Sequence, residues 1–291
     1  YESDKPDLKD EIEEVGNIED PDASAMTDDS LDQIEIAPTE ADNQGNEETA
    51  VEDNLQIVFM GDSIFDSVRD ETGIAHMVGA ALGADIYNLS IGGTTAALRS
   101  NKTSGMDDWI EPNFVGVVFA MENKIDRSIL TGLKAGEVMD MLVPSKTDYF
   151  IIQYGTNDFT SYIPIGGDGG VHYKFSTALE IGIRELKDNY PDAKIILCTP
   201  YYMQFWAADR TRFIGDSHSV NNGYGTHLDY IGWAEGIGHD MGVECLNMYD
   251  LLAVDGYNVE RLTEDGIHPN EELRARYAQI LINKINELEE E

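Results

Sequence analysis

Five short, largely apolar runs, at residues 55–60, 85–89, 149–154, 194–199 and 243–246, are spaced along the chain with a helix-length segment after each. Runs of four to six residues are too short for helices. Their apolar residues are grouped together instead of alternating with polar ones, the pattern of strands buried on both faces. Helical periodicity falls at 67–81, 130–142, 175–189, 227–241 and 271–288. Parallel strands need crossovers of about a dozen residues or more, and a helix is the usual one. The alternation therefore predicts an α/β fold, a doubly wound, five-stranded parallel sheet with helices on both faces. In the last helix Leu273, Tyr277, Ile280, Leu281 and Leu288 share one face, which is expected to pack on the sheet. A chain of 291 residues is long enough for one such domain with a substantial core, and no internal repeat interrupts it.

Residues 1–54 have a different composition. They hold 20 Asp or Glu against 2 Lys, a net −18 of the chain's total of −37, with few large apolar side chains and no sustained period. Such a segment cannot bury enough apolar surface to offset its ordering entropy, so an acidic, disordered stalk or linker is expected before a domain at 55–291. The overall negative charge repels phosphates and anionic headgroups, which argues against nucleic acid and direct membrane insertion as partners. No run approaches the ~18 apolar residues of a membrane span. The chain opens on Tyr1, and the expectation is a removed N-terminal signal or anchor and an extracellular or cell-envelope location, with a cytoplasmic one still compatible. A monomer is expected. Cys198 and Cys245 each lie within an apolar run, where a buried free thiol is the default state.

The chemistry-bearing residues cluster where the sheet would deliver them. The first run feeds "GDS", with Asp62 and Ser63. The second feeds "NLSIGGTT", with Gly92 and Gly93, and the third feeds "YGTNDF", with Asn157 and Asp158. "DGIHPN", with Asp265 and His268, precedes the last helix. Alone, a Gly-Asp-Ser turn is ordinary turn chemistry. Together, the four stretches converge on the carboxyl edge of a parallel sheet, where ligands bind. A serine hydroxyl attacks acyl carbon when a base takes its proton, and His268 is placed to be that base, with Asp265 orienting it. The backbone N–H of Ser63, an N–H from the glycine pair and the Asn157 amide could stabilise an oxyanion.

These four stretches resemble the blocks of the SGNH hydrolase family, the GDSL esterases and lipases, from about residue 55 to the C-terminus. The resemblance implies a flavodoxin-like sheet, Ser63 as nucleophile, Asp265 and His268 as its triad partners, an oxyanion hole of Ser63, Gly93 and Asn157, and no metal or cofactor. Two departures stand out: Ile64 replaces the fourth-position Leu, and Gly92 lies beside Gly93.

His76, His172, His218, His227 and His239 compete for the role of base, but none has an Asp three residues before it. Asp62, Gly92 and Asp158 flank the motif residues, and Tyr162, Trp109 and Tyr201 offer aromatic faces. All six are expected to line the substrate, against the plainer reading that the aromatics pack the helix layer. Around the site the loops mix polar, charged and glycine residues, which points to a small-molecule or oligosaccharide ester carrying a small acyl group. A lipolytic esterase or thioesterase is the alternative within the enzyme class. A non-catalytic carbohydrate-binding or scaffolding module on the same fold is the alternative outside it.

Overall fold

The structure, a computed structural model, describes residues 54–99, 111–166 and 173–290. The acidic segment of the sequence lies outside them, Asn54 apart. Seven strands occur among the described residues: β1 (Gln56–Gly61), β2 (Asp85–Asn88), β3 (Tyr149–Gln153), β4 (Lys194–Cys198), β5 (Gln204–Trp206), β6 (Phe213–Asp216) and β7 (Glu244–Leu246). Five of them form a parallel sheet in the order β2-β1-β3-β4-β7, while β5 and β6 pair as a separate antiparallel hairpin. Every residue of β1 and β3 is buried, as their unbroken apolar character requires of central strands. The edge strands β2 and β7 are shorter and partly exposed.

The helices of eight or more residues are those labelled α2 (Ile74–Leu82), α3 (Phe114–Met121), α4 (Lys134–Met141), α6 (Phe175–Asn189), α7 (His227–Met241) and α10 (Glu271–Glu289). Four-to-five-residue turns of helix, α1 (Ser63–Asp66), α5 (Thr156–Thr160), α8 (Met248–Leu252) and α9 (Val259–Leu262), fall between them. Right-handed crossovers decide their sides. The β1-to-β2 connection runs one way along the sheet and the later ones run the other, so α2 covers one face and α3, α6 and α7 cover the opposite face. Contacts agree, because α10 packs on α2 while α6 packs on both α3 and α7. The helix ends are built into the sequence. Asn270 caps α10 by accepting from the Leu273 N–H at 3.2 Å, and Thr226 and Asp229 form a capping box on α7.

Connections leave β1 and β3 in opposite directions, which opens a crevice between neighbouring strands at their carboxyl ends. Ser63 follows β1 and Asn157 follows β3. The predicted strands thus match the observed ones to within a residue or two at each end. Helix 67–81 begins later, at Ile74, because Gly73 with an extended backbone takes the N-cap position. Cys198 and Cys245 are free thiols.

Candidate active site

The turn after β1 is held from three directions. Asp62 leaves the strand extended and caps α1, its Oδ1 accepting from the Ile64 N–H at 3.0 Å. Ser63 is then the first helical residue, whose N–H has no intrahelical acceptor. Phe65 anchors the turn from below, edge-on to Phe59 at 5.1 Å and to Tyr277 of α10 at 5.5 Å. Arg69 fastens it sideways: its guanidinium donates to Asp66 Oδ1 at 2.7 Å and to the carbonyls of Asn88 and Ser90 at 3.0 and 2.7 Å. The sequence reading missed this clamp, since an Arg three residues after an Asp is ordinary helix-surface chemistry.

Residues 263–270 form a tight loop closed by a bridge between Thr263 and Pro269 and by the Glu264 N–H donating to the His268 carbonyl at 2.8 Å. Within it Asp265 Oδ1 accepts from the backbone N–H groups of Ile267 and His268, at 2.9 and 2.6 Å. Asp265 Oδ2 lies 2.6 Å from His268 Nδ1, and His268 Nε2 lies 2.9 Å from Ser63 Oγ. Burial works to raise the Asp265 pKa, but the hydrogen bond and charge of His268 and the two backbone donors outweigh it and hold the carboxyl at about 2. For His268 burial works downward and Asp265 overcomes it, so the imidazole stays above its ordinary value. An ionised Asp265 fixes the proton on Nδ1, which leaves the Nε2 lone pair to accept from the Ser63 hydroxyl.

The turns after β2 and β3 carry a second set of donors. The Gly92 N–H is taken by Asp66 Oδ2 at 2.6 Å. Gly93 turns in the left-handed region, φ +72°, and its N–H meets none of the described acceptors. Of the two neighbouring glycines Gly93 therefore has the free donor. Asn157 sits on α5, just past Gly155, and gives one amide hydrogen to the Thr94 carbonyl at 2.9 Å. Its second N–H is left over. Asp158 braces the two loops together, accepting from the N–H groups of Ala96 and Ala97 at 2.9 and 3.1 Å.

Several expected substrate contacts are corrected. Asp158 is wholly buried, Asp62 and Tyr201 are each 1% exposed, and none can face a ligand. Asp158 spends its carboxylate on the loop after Gly93. Burial pushes Asp158 up to about 6 and Asp62 up to about 7. Tyr201 donates its hydroxyl to the Ile267 carbonyl, so it positions the Asp265–His268 loop from beneath. Gly92 is exposed beside Ser63, its backbone donor already used. Tyr162 is half-buried just after α5, with φ +56°. Trp109 and His172 lie outside the described residues. Of the other rivals for the base, His76 and His239 are exposed on helices. His218 pairs with the Tyr249 hydroxyl at 2.7 Å. His227 is buried between Ser217 at 2.8 Å and Thr156 at 3.3 Å, and burial pulls its pKa down to about 3.

The sheet order and this carboxyl-edge crevice are those of the SGNH hydrolase fold. Residues 57–281 match the family model of the GDSL-like lipases and acylhydrolases, and the chain belongs to that family of ester-hydrolysing enzymes. No curated relative matches it by sequence. Among solved structures, a possible lipase from Chitinophaga pinensis superposes with a TM-score of 0.56 at 20% identity, over 81% of this chain and 99% of that one. A protein from Lactobacillus plantarum gives 0.55 at 19% identity, over 79% and 97%. At such identities the likeness is one of fold.

Proposed function

We infer that the chain is a serine carboxylic-ester hydrolase that removes acetyl or similarly small acyl groups from carbohydrate. The observation that carries this reading is the unbroken relay from Ser63 Oγ to His268 Nε2, 2.9 Å, and from His268 Nδ1 to Asp265, 2.6 Å. Ser63 Oγ forms a bond to the ester carbonyl carbon as its proton passes to Nε2, and the carbonyl electron pair moves onto oxygen. The N–H groups of Ser63 and Gly93 and the free amide hydrogen of Asn157 surround that oxyanion. Collapse breaks the bond to the sugar oxygen, which takes the proton from Nε2. Water then repeats the sequence on acyl-Ser63 and releases the carboxylic acid. Asp265, ionised throughout, stabilises the imidazolium formed in each half.

The small acyl group is supported by what stands around Ser63. Besides Ser63 itself, Asp66, Gly92, Gly93, Thr94 and Asn157 are partly or fully exposed in the three turns, while the neighbouring Ile64 is buried. A long chain gains about 0.8 kcal/mol for each methylene buried from water, and these side chains have little apolar surface with which to bury one. The net charge of −37 further disfavours anionic lipid.

A fluorophosphonate probe should label the wild type and not Ser63→Ala. The rate on p-nitrophenyl esters should be highest at acetate or propionate and fall by octanoate. Labelling of Ser63→Ala would remove the nucleophile assignment. A rise in kcat/KM through decanoate would replace the carbohydrate reading with a lipolytic one.

A further inference from the structure

The β5–β6 hairpin is fastened to the loop that carries the base. The Gln204 N–H donates to the Gly266 carbonyl at 3.0 Å, and Arg210 Nη1 donates to the Glu264 carbonyl at 2.9 Å. Gly266 has φ +93°, and a Cβ there would lie 2.5 Å from the Gln204 carbonyl oxygen, so the close approach demands glycine. Between hairpin and loop lies a cavity of about 280 Å³, lined by Trp206, Arg210, Glu260, Thr263, Glu264 and Gly266. That is near the lower end of small-molecule pockets, roughly 300 Å³, and suits a single ring.

The lining is built rather than incidental. Register slips between Phe205 and Trp206, and such a bulge re-aims a side chain that would otherwise follow the strand. Phe213 holds the Trp206 ring from the side, with centroids 5.2 Å apart and planes at 61°. The hairpin end is rigid, because the Ala207 N–H reaches the Arg212 carbonyl at 2.9 Å and Asp209 accepts from Thr211 twice. On the opposite wall α9 buries Val259 and Leu262 and turns Glu260 outward. Neither the Glu260 nor the Glu264 carboxylate meets a cation or a hydrogen-bond donor among the described residues.

An aromatic face, two free carboxylates and a guanidinium select by chemistry. The carboxylates repel an anion, and Arg210 disfavours a cation. A neutral polyol satisfies all of them: the apolar C–H face of a pyranose lies on Trp206, its hydroxyls donate to Glu260 and Glu264, and one accepts from Arg210. We propose that this cleft is a carbohydrate-binding subsite, which holds a sugar ring of the glycan chain beside the Asp265–His268 loop. The proposal rests on the carbohydrate reading above and extends it to a residue-level site.

The test is binding of unacylated sugar to the full chain in a Ser63→Ala background, so that turnover plays no part. Xylohexaose, mannohexaose and cellohexaose are titrated by calorimetry and by tryptophan fluorescence. At least one should bind and perturb the fluorescence. Trp206→Ala should weaken it at least tenfold and Glu260→Gln several-fold, while Met141→Ala, an exposed side chain at the end of α4, should not change it. Trp206→Phe should abolish the fluorescence change and Trp233→Phe should retain it. Binding that survives Trp206→Ala and Glu260→Gln, no binding of any of the three at 10 mM, or tighter binding of choline than of sugar would each overturn the subsite. Those results would leave the esterase assignment standing, since that stands or falls on probe labelling of Ser63.

Discussion

At the scale of single residues, the relay makes pH the sharpest probe. His268 acts as a base only when neutral, and its pKa lies above the ordinary 6.5. The acid limb of kcat/KM on p-nitrophenyl acetate should therefore be centred above pH 6.5. Asp265→Asn removes the partner that raises it and leaves burial, so the limb should move down while kcat falls by about 10⁴. A limb that stays in place in the variant would mean that another group titrates. Asn157→Ala should cost about 10² to 10³ in kcat with a much smaller change in KM, as expected for a donor engaged only in the transition state. Asp62 yields a stability prediction. Its folded-state pKa of about 7 exceeds the unfolded 3.8, so the folded form prefers the protonated carboxyl. Its contribution is complete below about pH 4 and is lost as pH rises through 7. Asp62→Asn keeps a capping oxygen for the Ile64 N–H but cannot ionise. Between pH 5 and 8 the wild-type Tm should fall by several degrees more than that of the variant, and parallel curves would show that Asp62 is not the group responsible. The motif residues were legible as chemistry because their types are rare in that combination. Whether Gly92 or Gly93 carries the free donor was not legible, since Asp66 settles it from 26 positions away.

Among the elements, those with a clear period were readable and those without were not. Helix α3 reads "FVGVVFAM" and all eight residues are buried. A short segment that is apolar on every side carries neither a helical nor a strand period, and the helix is fixed by Asn113 accepting from the Gly116 N–H at 2.8 Å and by packing on α6. The β5–β6 hairpin was equally hidden, because "AADRTR" between its strands has no Asn-Gly or Gly-containing turn. Its structural importance is open to a direct test through Tyr201, which precedes it and holds the Ile267 carbonyl. Tyr201→Phe deletes one hydroxyl and leaves a buried acceptor unmatched, a loss of about 1 to 3 kcal/mol in urea unfolding. Since that carbonyl belongs to the base-bearing loop, kcat should drop as well, more than KM rises. Unchanged stability and kcat would show that the Tyr201 hydroxyl does not hold the loop.

On the scale of the whole molecule, the acidic N-terminal segment and the domain are separable in composition, which predicts separable behaviour. Deleting residues 1–50 should leave kcat/KM on a small neutral ester within about twofold, because a neutral substrate offers the segment's acidic charge little to act on and salt screens such a field over roughly 8 to 10 Å at physiological ionic strength. A tenfold loss would mean that the segment contributes directly to the site. The parallel sheet, its strand boundaries to within a residue or two and the convergence of Ser63, the Gly92–Gly93 pair, Asn157, Asp265 and His268 could be derived from the sequence alone. Buried parallel strands need unbroken apolar runs, and such runs end in turns that all emerge on one edge. Tertiary structure decided what no local pattern encodes. It buried Asp62, Asp158 and Tyr201 as braces instead of exposing them to substrate, gave the Gly92 N–H to Asp66, and set a bulged hairpin against the Asp265 loop. Those outcomes depend on which distant backbone groups need partners once the chain is packed, and a linear sequence does not display that requirement.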